Sequence, residues 1–283
     1  MTAYHCRLCG ALLQESFCDL GMSPLSNAYI RAGNLQNAET FYPLQTFVCT
    51  ECWLVQLPEH ETPKQIFAED YAYFSSYSES WLAHSKAYTE MMISRFGYGP
   101  RTQVMEIASN DGYLLQYFKR QGVPVLGIEP AENCAAAARA KGIESLVKFF
   151  GTATAKELVS KNRFADLLLG NNVLAHVPDI NDFVSGMKIV LKPDGVVTME
   201  FPHLLRLIEG CQFDTIYHEH YSYLSFLAVE RLFAKHGLVL FDVQQLTTHG
   251  GSLRIFARHI EDLSTPVSAT VHELRKVEQT AGL

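Results

Sequence analysis

The sequence predicts an α/β protein built on a doubly wound, mostly parallel sheet, with a small metal-stapled module in front of it. Three observations predict this. Two C-x-x-C pairs stand near the start, Cys6 with Cys9 and Cys49 with Cys52. From Thr102 onward, short apolar runs alternate with helical patterns, the rhythm of a sheet covered on both faces. Two acids, Glu106 inside the first of those strands and Glu129 at the end of the second, flank a turn holding Gly112. That arrangement faces a ligand beyond the carboxyl ends of the strands.

The four cysteines come first in the chain. A two-residue gap lets the backbone turn as a knuckle whose two thiolates converge on one cation, and two knuckles complete a tetrahedral shell for a structural Zn²⁺. The alternatives are two independent pairs of cysteines or a redox C-x-x-C. Cys18, Cys134 and Cys211 lack such pairing and read as packing residues. Residues 1–65 form the expected module, since so short a segment rarely folds on its core alone. Between the knuckles D-L-G-M-S-P-L-S-N (19–27) is turn-rich, and F-Y-P-L-Q-T-F-V-C (41–49) with C-W-L-V-Q-L (52–57) reads as a hairpin. Pro58 and Pro63 mark its exit. Residues 66–100 are the expected linker, with a helix over 79–96 that stops before G-Y-G-P.

Residues 101–263 carry the expected sheet. Its strands read as 102–108, 124–129, 146–150, 165–170 and 195–200, with helices between, the first over 114–122. The first turn reads A-S-N-D-G (108–112) and has no complete G-x-G-x-x-G. Pyrophosphate needs several glycines for close approach, so the turn disfavours NAD and FAD and suits a phosphate-free nucleoside cofactor, S-adenosyl-L-methionine. Glu106, Ala108, Asn110, Gly112, Glu129 and Asn171 are the expected contacts; an ordinary strand–turn–helix is the alternative. Residues 264–283 read as a closing helix.

Composition narrows the function. The chain has 283 residues, 48% of them hydrophobic and 19% charged, with a net charge of −7. Such a balance supports a packed core and provides no positive field for nucleic acid or anionic lipid. No apolar run reaches membrane-spanning length, and M-T-A-Y-H-C-R-L-C-G lacks the pattern of a secretory signal. The expectation is a soluble, cytoplasmic protein whose paired thiols are metal ligands.

Ten segments in order carry a resemblance: C-R-L-C-G, D-L-G-M-S-P-L-S-N, C-T-E-C-W-L-V-Q-L, Y-A-Y-F-S-S-Y-S-E-S-W, E-I-A-S-N-D-G-Y-L-L, G-I-E-P-A, N-N-V-L-A-H-V-P-D, M-E-F-P-H, Y-H-E-H-Y-S-Y-L-S and H-G-G-S-L-R. From Cys6 to about Arg258 the chain resembles the sugar C-methyltransferases that act on nucleotide-linked 4-keto-deoxyhexoses. The resemblance implies a zinc-binding module, a class I methyltransferase fold and methyl transfer to the carbon beside a ketone, C3 of a dTDP-linked keto-sugar. Residues 264–283 would then lead into a further domain that this chain lacks. By match to the family motif, His220 is the general base that removes the proton of the carbon acid. Glu219 and Tyr217 orient groups around the sugar, His176 faces the substrate oxygen, and Tyr71 lines the methyl-transfer site.

Each assignment has a plainer counterpart. H-E-H (218–220) could hold a second metal; Tyr71, Tyr73, Phe74 and Tyr77 could pack linker on sheet; H-G-G-S-L-R (249–254) reads as a turn entering a last strand. For the whole chain the rivals are O- or N-methylation of a small metabolite and a non-catalytic scaffold.

Overall fold

A computed structural model describes residues 3–62 and 71–283; Pro63 lies outside them. The N-terminal part carries β1 (Glu15–Ser23), β2 (Tyr42–Val48) and β3 (Val55–Gln56). Helix α1 (Glu79–Phe96) starts where the Ser78 hydroxyl accepts from the Trp81 N–H and stops at Gly97, whose φ of 68° only glycine adopts cheaply. The alternating half runs β4 (Val104–Ile107), α2 (Leu115–Arg120), β5 (Val125–Ile128), α3 (Glu132–Ala140), β6 (Ser145–Leu146), α4 (Thr152–Ser160), β7 (Ala165–Asn171), α5 (Ile180–Val190) and β8 (Leu191–Pro202). It closes with α6 (Leu204–Glu209), β9 (Ser222–Tyr223), α7 (Phe226–Lys235), β10 (Leu238–Leu246), β11 (Ser252–His259) and α8 (Ala269–Ala281).

The large sheet has the order β10-β11-β8-β7-β4-β5-β6. Strands β4 to β8 pair in parallel, and β11 runs antiparallel to both its neighbours. Side chains alternate across it. Val104, Leu167 and Leu169 pack with Tyr88, Met92 and Phe118 on one face, whereas Met105, Ile107 and Leu168 pack with Ile180, Phe183 and Met187 on the other. The second of these cores runs on into Cys6, Leu8, Cys49 and Cys52, so the N-terminal module shares its apolar interior. No described helix is long and apolar enough to cross a membrane.

The expected hairpin forms, with Phe47 opposite Gln56 and Val48 opposite Val55. It belongs to a larger sheet, β1-β2-β3-β9, whose last strand comes from the far half of the chain. Three local readings change. The turn-rich stretch after residue 18 is largely strand, because β1 continues to Ser23 through an irregular register against β2. The strand expected over 146–150 ends at Leu146, and Phe149 and Phe150 instead line a cavity. The K-P-D-G stretch is an excursion within β8: Ala165 pairs with Leu191 and Leu167 with Val196.

Helix α8 docks through one buried acid. The fully buried Glu278 carboxylate accepts from the Phe226 and Leu227 N–H groups at the start of α7, at 2.6 and 2.9 Å, and from His203 Nε2 at 2.7 Å. A distant side chain thus caps a helix N-terminus and pairs with one nitrogen of a buried imidazole. Glu278→Ala leaves those donors unpaired, and the expected loss is about 3 kcal/mol in urea unfolding. A loss below about 1 kcal/mol would show that α8 is held by its apolar face alone.

Candidate functional site

At the carboxyl ends of β4, β5, β7 and β8 lies a cavity of ≈ 780 Å³. Its floor is Ile107–Ala108, Ile128–Pro130 and Asn171–Val173; its roof includes Asn27 and Glu59 from the module, Tyr71 and Tyr73, and the segment bearing Tyr217, Glu219 and His220.

The loop after β4 carries three residues with positive φ, Ala108 (54°), Asn110 (49°) and Gly112 (74°). Such backbone persists only where its surroundings hold it. Here Glu129 does so, accepting from the Asn110 N–H at 2.8 Å and the Ala131 N–H at 2.9 Å. Burial pushes Glu129 above the usual carboxylate range, and these two bonds oppose the rise. Asn110 in turn accepts from the Ser75 N–H at 2.9 Å and donates to the Tyr73 carbonyl at 3.0 Å, which lays residues 71–75 along the cavity.

Of the six expected cofactor contacts, Ala108, Asn110, Glu129 and Asn171 line the cavity and two do not. Glu106 is fully buried beneath the floor, and burial pushes it well above the ordinary carboxylate range, with the Tyr113 hydroxyl opposing. A strand residue alternates faces, so an acid inside β4 points into the helix layer rather than out of the strand end. Gly112 is required by packing: a Cβ there would meet Ile143 Cδ1 at 2.4 Å.

The other end of the cavity holds the imidazoles. His220 Nδ1 donates to the Thr215 carbonyl at 2.8 Å, which fixes the tautomer and leaves Nε2 as an acceptor for the Tyr217 hydroxyl at 2.9 Å. The His176 ring stands 4.6 Å from His220, edge to face. Burial pulls His220 down to about 4, helped by His249 and opposed by the Thr215 bond. His176 lies well below the ordinary imidazole value, first through burial and then through His220. Glu219 accepts from Asn27 Nδ2 at 2.8 Å and is raised by burial. Tyr217 and Tyr71 are also raised, burial being the main cause in both. All five expected catalytic residues therefore line one cavity.

His218 points away. In the turn closed by the His220 N–H on the Tyr217 carbonyl, its Nε2 donates to the Pro43 carbonyl at 3.2 Å and its ring packs against His60 and Tyr42. H-E-H therefore does not converge on one ion. Sequence reasoning missed Trp81, Asn172 and Phe183 as cavity residues, and it read His249 as turn architecture. Only Asn172, beside the expected Asn171, carried a usable signal.

The four cysteine sulfurs lie within 4.8 Å of one another, and no other such group occurs among the described residues. Cys6 and Cys52 are 3.4 Å apart, Cys9 and Cys49 3.5 Å. Tetrahedral Zn–S bonds of about 2.3 Å place sulfurs about 3.8 Å apart, so the donor set fits zinc.

A family model described as "Methyltransferase domain" matches residues 76–243, more than half of the chain, and one described as "Putative zinc binding domain" matches residues 6–67. The C-methyltransferase NovU of Streptomyces niveus is 34% identical over 253 residues, 89% of this chain and 60% of that protein. The ubiquinone biosynthesis O-methyltransferase of Rhodopseudomonas palustris (strain HaA2) is 29% identical over 98 residues, 34% of this chain and 38% of that one. The chain thus spans 60% or less of these relatives' lengths. Among solved structures, the magnesium protoporphyrin IX methyltransferase of Synechocystis PCC 6803 with bound SAH superposes with a TM-score of 0.50 at 13% identity, covering 62% of this chain and 82% of that one. A Pyrococcus horikoshii OT3 protein gives 0.54 at 15% identity, covering 66% and 94%. These likenesses show the class I methyltransferase fold.

Two measurements check this site. Elemental analysis should find one zinc per chain, and Cys49→Ser should lose it together with the cooperative unfolding of the module; full zinc retention would sink the assignment. The second is a pH series. Well above pH 6.5 the His220 ring is neutral in both folded and unfolded chains. As pH falls from 6.5 to about 4, the unfolded chain binds a proton that the folded chain refuses. Stability attributable to this ring should therefore drop by about 1.4 kcal/mol per pH unit and level off below that window. The difference between the wild-type and His220→Gln stability curves isolates it, and a flat difference refutes it.

Proposed function

Because the chain belongs to the methyltransferase family, we propose that it is an S-adenosylmethionine-dependent C-methyltransferase acting beside the ketone of a nucleotide-linked keto-sugar, at C3 of a dTDP-4-keto-deoxysugar. The observation that carries this reading is the His220 ring, a buried, neutral residue of the cavity wall whose Nε2 is left unprotonated and bonded to the Tyr217 hydroxyl. An oxygen or nitrogen nucleophile already owns a lone pair, whereas carbon acquires one only after a base removes a proton.

S-Adenosylmethionine, when bound, supplies an electrophilic methyl group on a sulfonium. Ala108, Asn110, Glu129 and Asn171 would hold it, because they line the cavity and offer a buried carboxylate with no complete phosphate-binding turn. The acidic end suits the nucleoside hydroxyls.

The remaining steps fall to this chain's own side chains. The substrate C–H takes the place of the Tyr217 hydroxyl at His220 Nε2, and Nε2 removes the proton. The Thr215 carbonyl, still bonded to Nδ1–H, stabilises the imidazolium that results. Tyr217, released from Nε2, hydrogen-bonds a substrate oxygen. His176, kept neutral by burial, would turn its one N–H from the Glu219 backbone to the enolate oxygen as charge gathers there. Glu219, oriented by Asn27, and Tyr71 position the sugar. We place this reaction in the cytoplasm, where reducing conditions keep the cysteines available as ligands.

The test uses a C3-deuterated keto-sugar with labelled cofactor. Loss of deuterium with methylation is expected; methylation with deuterium retained would transfer the case to a heteroatom acceptor. His220→Ala should bind S-adenosylmethionine normally in calorimetry and turn over about 10²- to 10⁴-fold more slowly. Failure of the wild-type chain to bind the cofactor at all would leave a non-catalytic scaffold.

A further inference from the structure

We propose that Arg7, inside the first cysteine knuckle, is a positioning residue that holds His176 and His220 at their working separation. The two imidazoles come from different parts of the chain. His176 follows β7, and His220 precedes β9. Their segments meet through the Tyr221 N–H on the Ala175 carbonyl at 2.8 Å and through the His176 ring on the Glu219 backbone.

Arg7 spans that junction. Its guanidinium donates to the Pro178 carbonyl at 3.0 Å, two residues past His176, and to the Leu57 carbonyl at 2.5 Å. It also lies 5.3 Å over the ring of Tyr221, the residue after His220. Leu57 is itself tied to that segment, its N–H donating to the Tyr221 carbonyl at 3.0 Å. One planar group therefore grips both catalytic segments and the strand end between them. A lysine ammonium keeps the charge but cannot reproduce a fork that reaches two carbonyls while stacking on a ring.

The knuckle anchors Arg7 from behind. Its N–H donates to Gln56 Oε1 at 2.9 Å, and Gln56 Nε2 donates to Cys6 Sγ at 3.1 Å. Asn181 Nδ2 donates to the Arg7 carbonyl at 2.7 Å, and Lys235 Nζ donates to the Leu8 carbonyl at 2.7 Å. His236 Nε2 holds Asn181 by donating to its Oδ1 at 3.0 Å. The first knuckle is thus stitched to the start of α5 and the end of α7, and Arg7 is the side chain it extends toward the cavity. Arg7 does not line the cavity, so it acts through the histidines.

The catalytic consequence rests on the proposed function; the positioning does not. The experiment compares Arg7→Lys and Arg7→Met with the wild type in the whole zinc-loaded chain. Zinc content and amide protection in β4 and β7 should stay at wild-type level, while amides of 174–181 and 217–223 exchange faster and the ring-to-ring NMR contact between His176 and His220 disappears. In turnover, kcat should fall roughly 10²-fold with KM and S-adenosylmethionine affinity nearly unmoved, and lysine should not rescue. Wild-type exchange and ring contact in both variants would overturn the proposal. So would loss of zinc or of protection throughout the sheet, which would make Arg7 a general folding residue. If the wild-type chain transfers no methyl group, the functional reading falls while exchange and ring contact still decide the role of Arg7.

Discussion

Two backbone pairs, Val55 with Tyr223 and Gln56 with Ser222, join the N-terminal module to the far half of the chain. They make one sheet from segments more than 160 residues apart. The closure entropy of so long a loop must be offset by what the junction holds, and here it is offset by the cysteine knuckles, the continuous apolar core and the Arg7 fork. The cavity exists because of this junction. Its floor comes from strand ends that any doubly wound sheet would present, whereas its roof comes from the module and from the segment that β9 pins in place.

Burial governs the chemistry that such a roof allows. His176, His220, Glu219 and Tyr217 are all displaced toward their uncharged forms, with desolvation the leading cause each time. A low-dielectric pocket makes every charge that appears during a reaction matter more. It also keeps the Tyr217 hydroxyl protonated and His220 Nε2 unprotonated across the hydrogen bond that joins them. The Thr215 carbonyl settles which ring nitrogen stays unprotonated by holding the proton at Nδ1.

Legibility followed the range of the interaction. The C-x-x-C spacing encodes a knuckle within four residues, so the cysteine cluster could be read without the fold. The strands β4, β5 and β7 announced themselves as apolar runs because both faces of a parallel sheet are buried. The same signal misled at Phe149 and Phe150, which are apolar because they line a cavity. Glu106 looked like a ligand because an acid in an apolar strand demands a reason, and its location on β4 turned that side chain into the helix layer. His249 looked like part of a turn, and it is one, with a φ of 52°; the turn happens to close over the cavity against Trp81.

By itself the sequence determined the alternation of strands and helices, the metal-binding knuckles and which residue types were available for proton transfer, because local periodicity, spacing and side-chain chemistry are properties of short stretches. Only the tertiary structure decided that His220 enters the cavity while His218 leaves it, that His176 stands beside His220, and that Arg7 reaches both segments. Those are outcomes of strand pairing and turn geometry between distant parts of the chain, and no short stretch contains the partner that settles which way a side chain points.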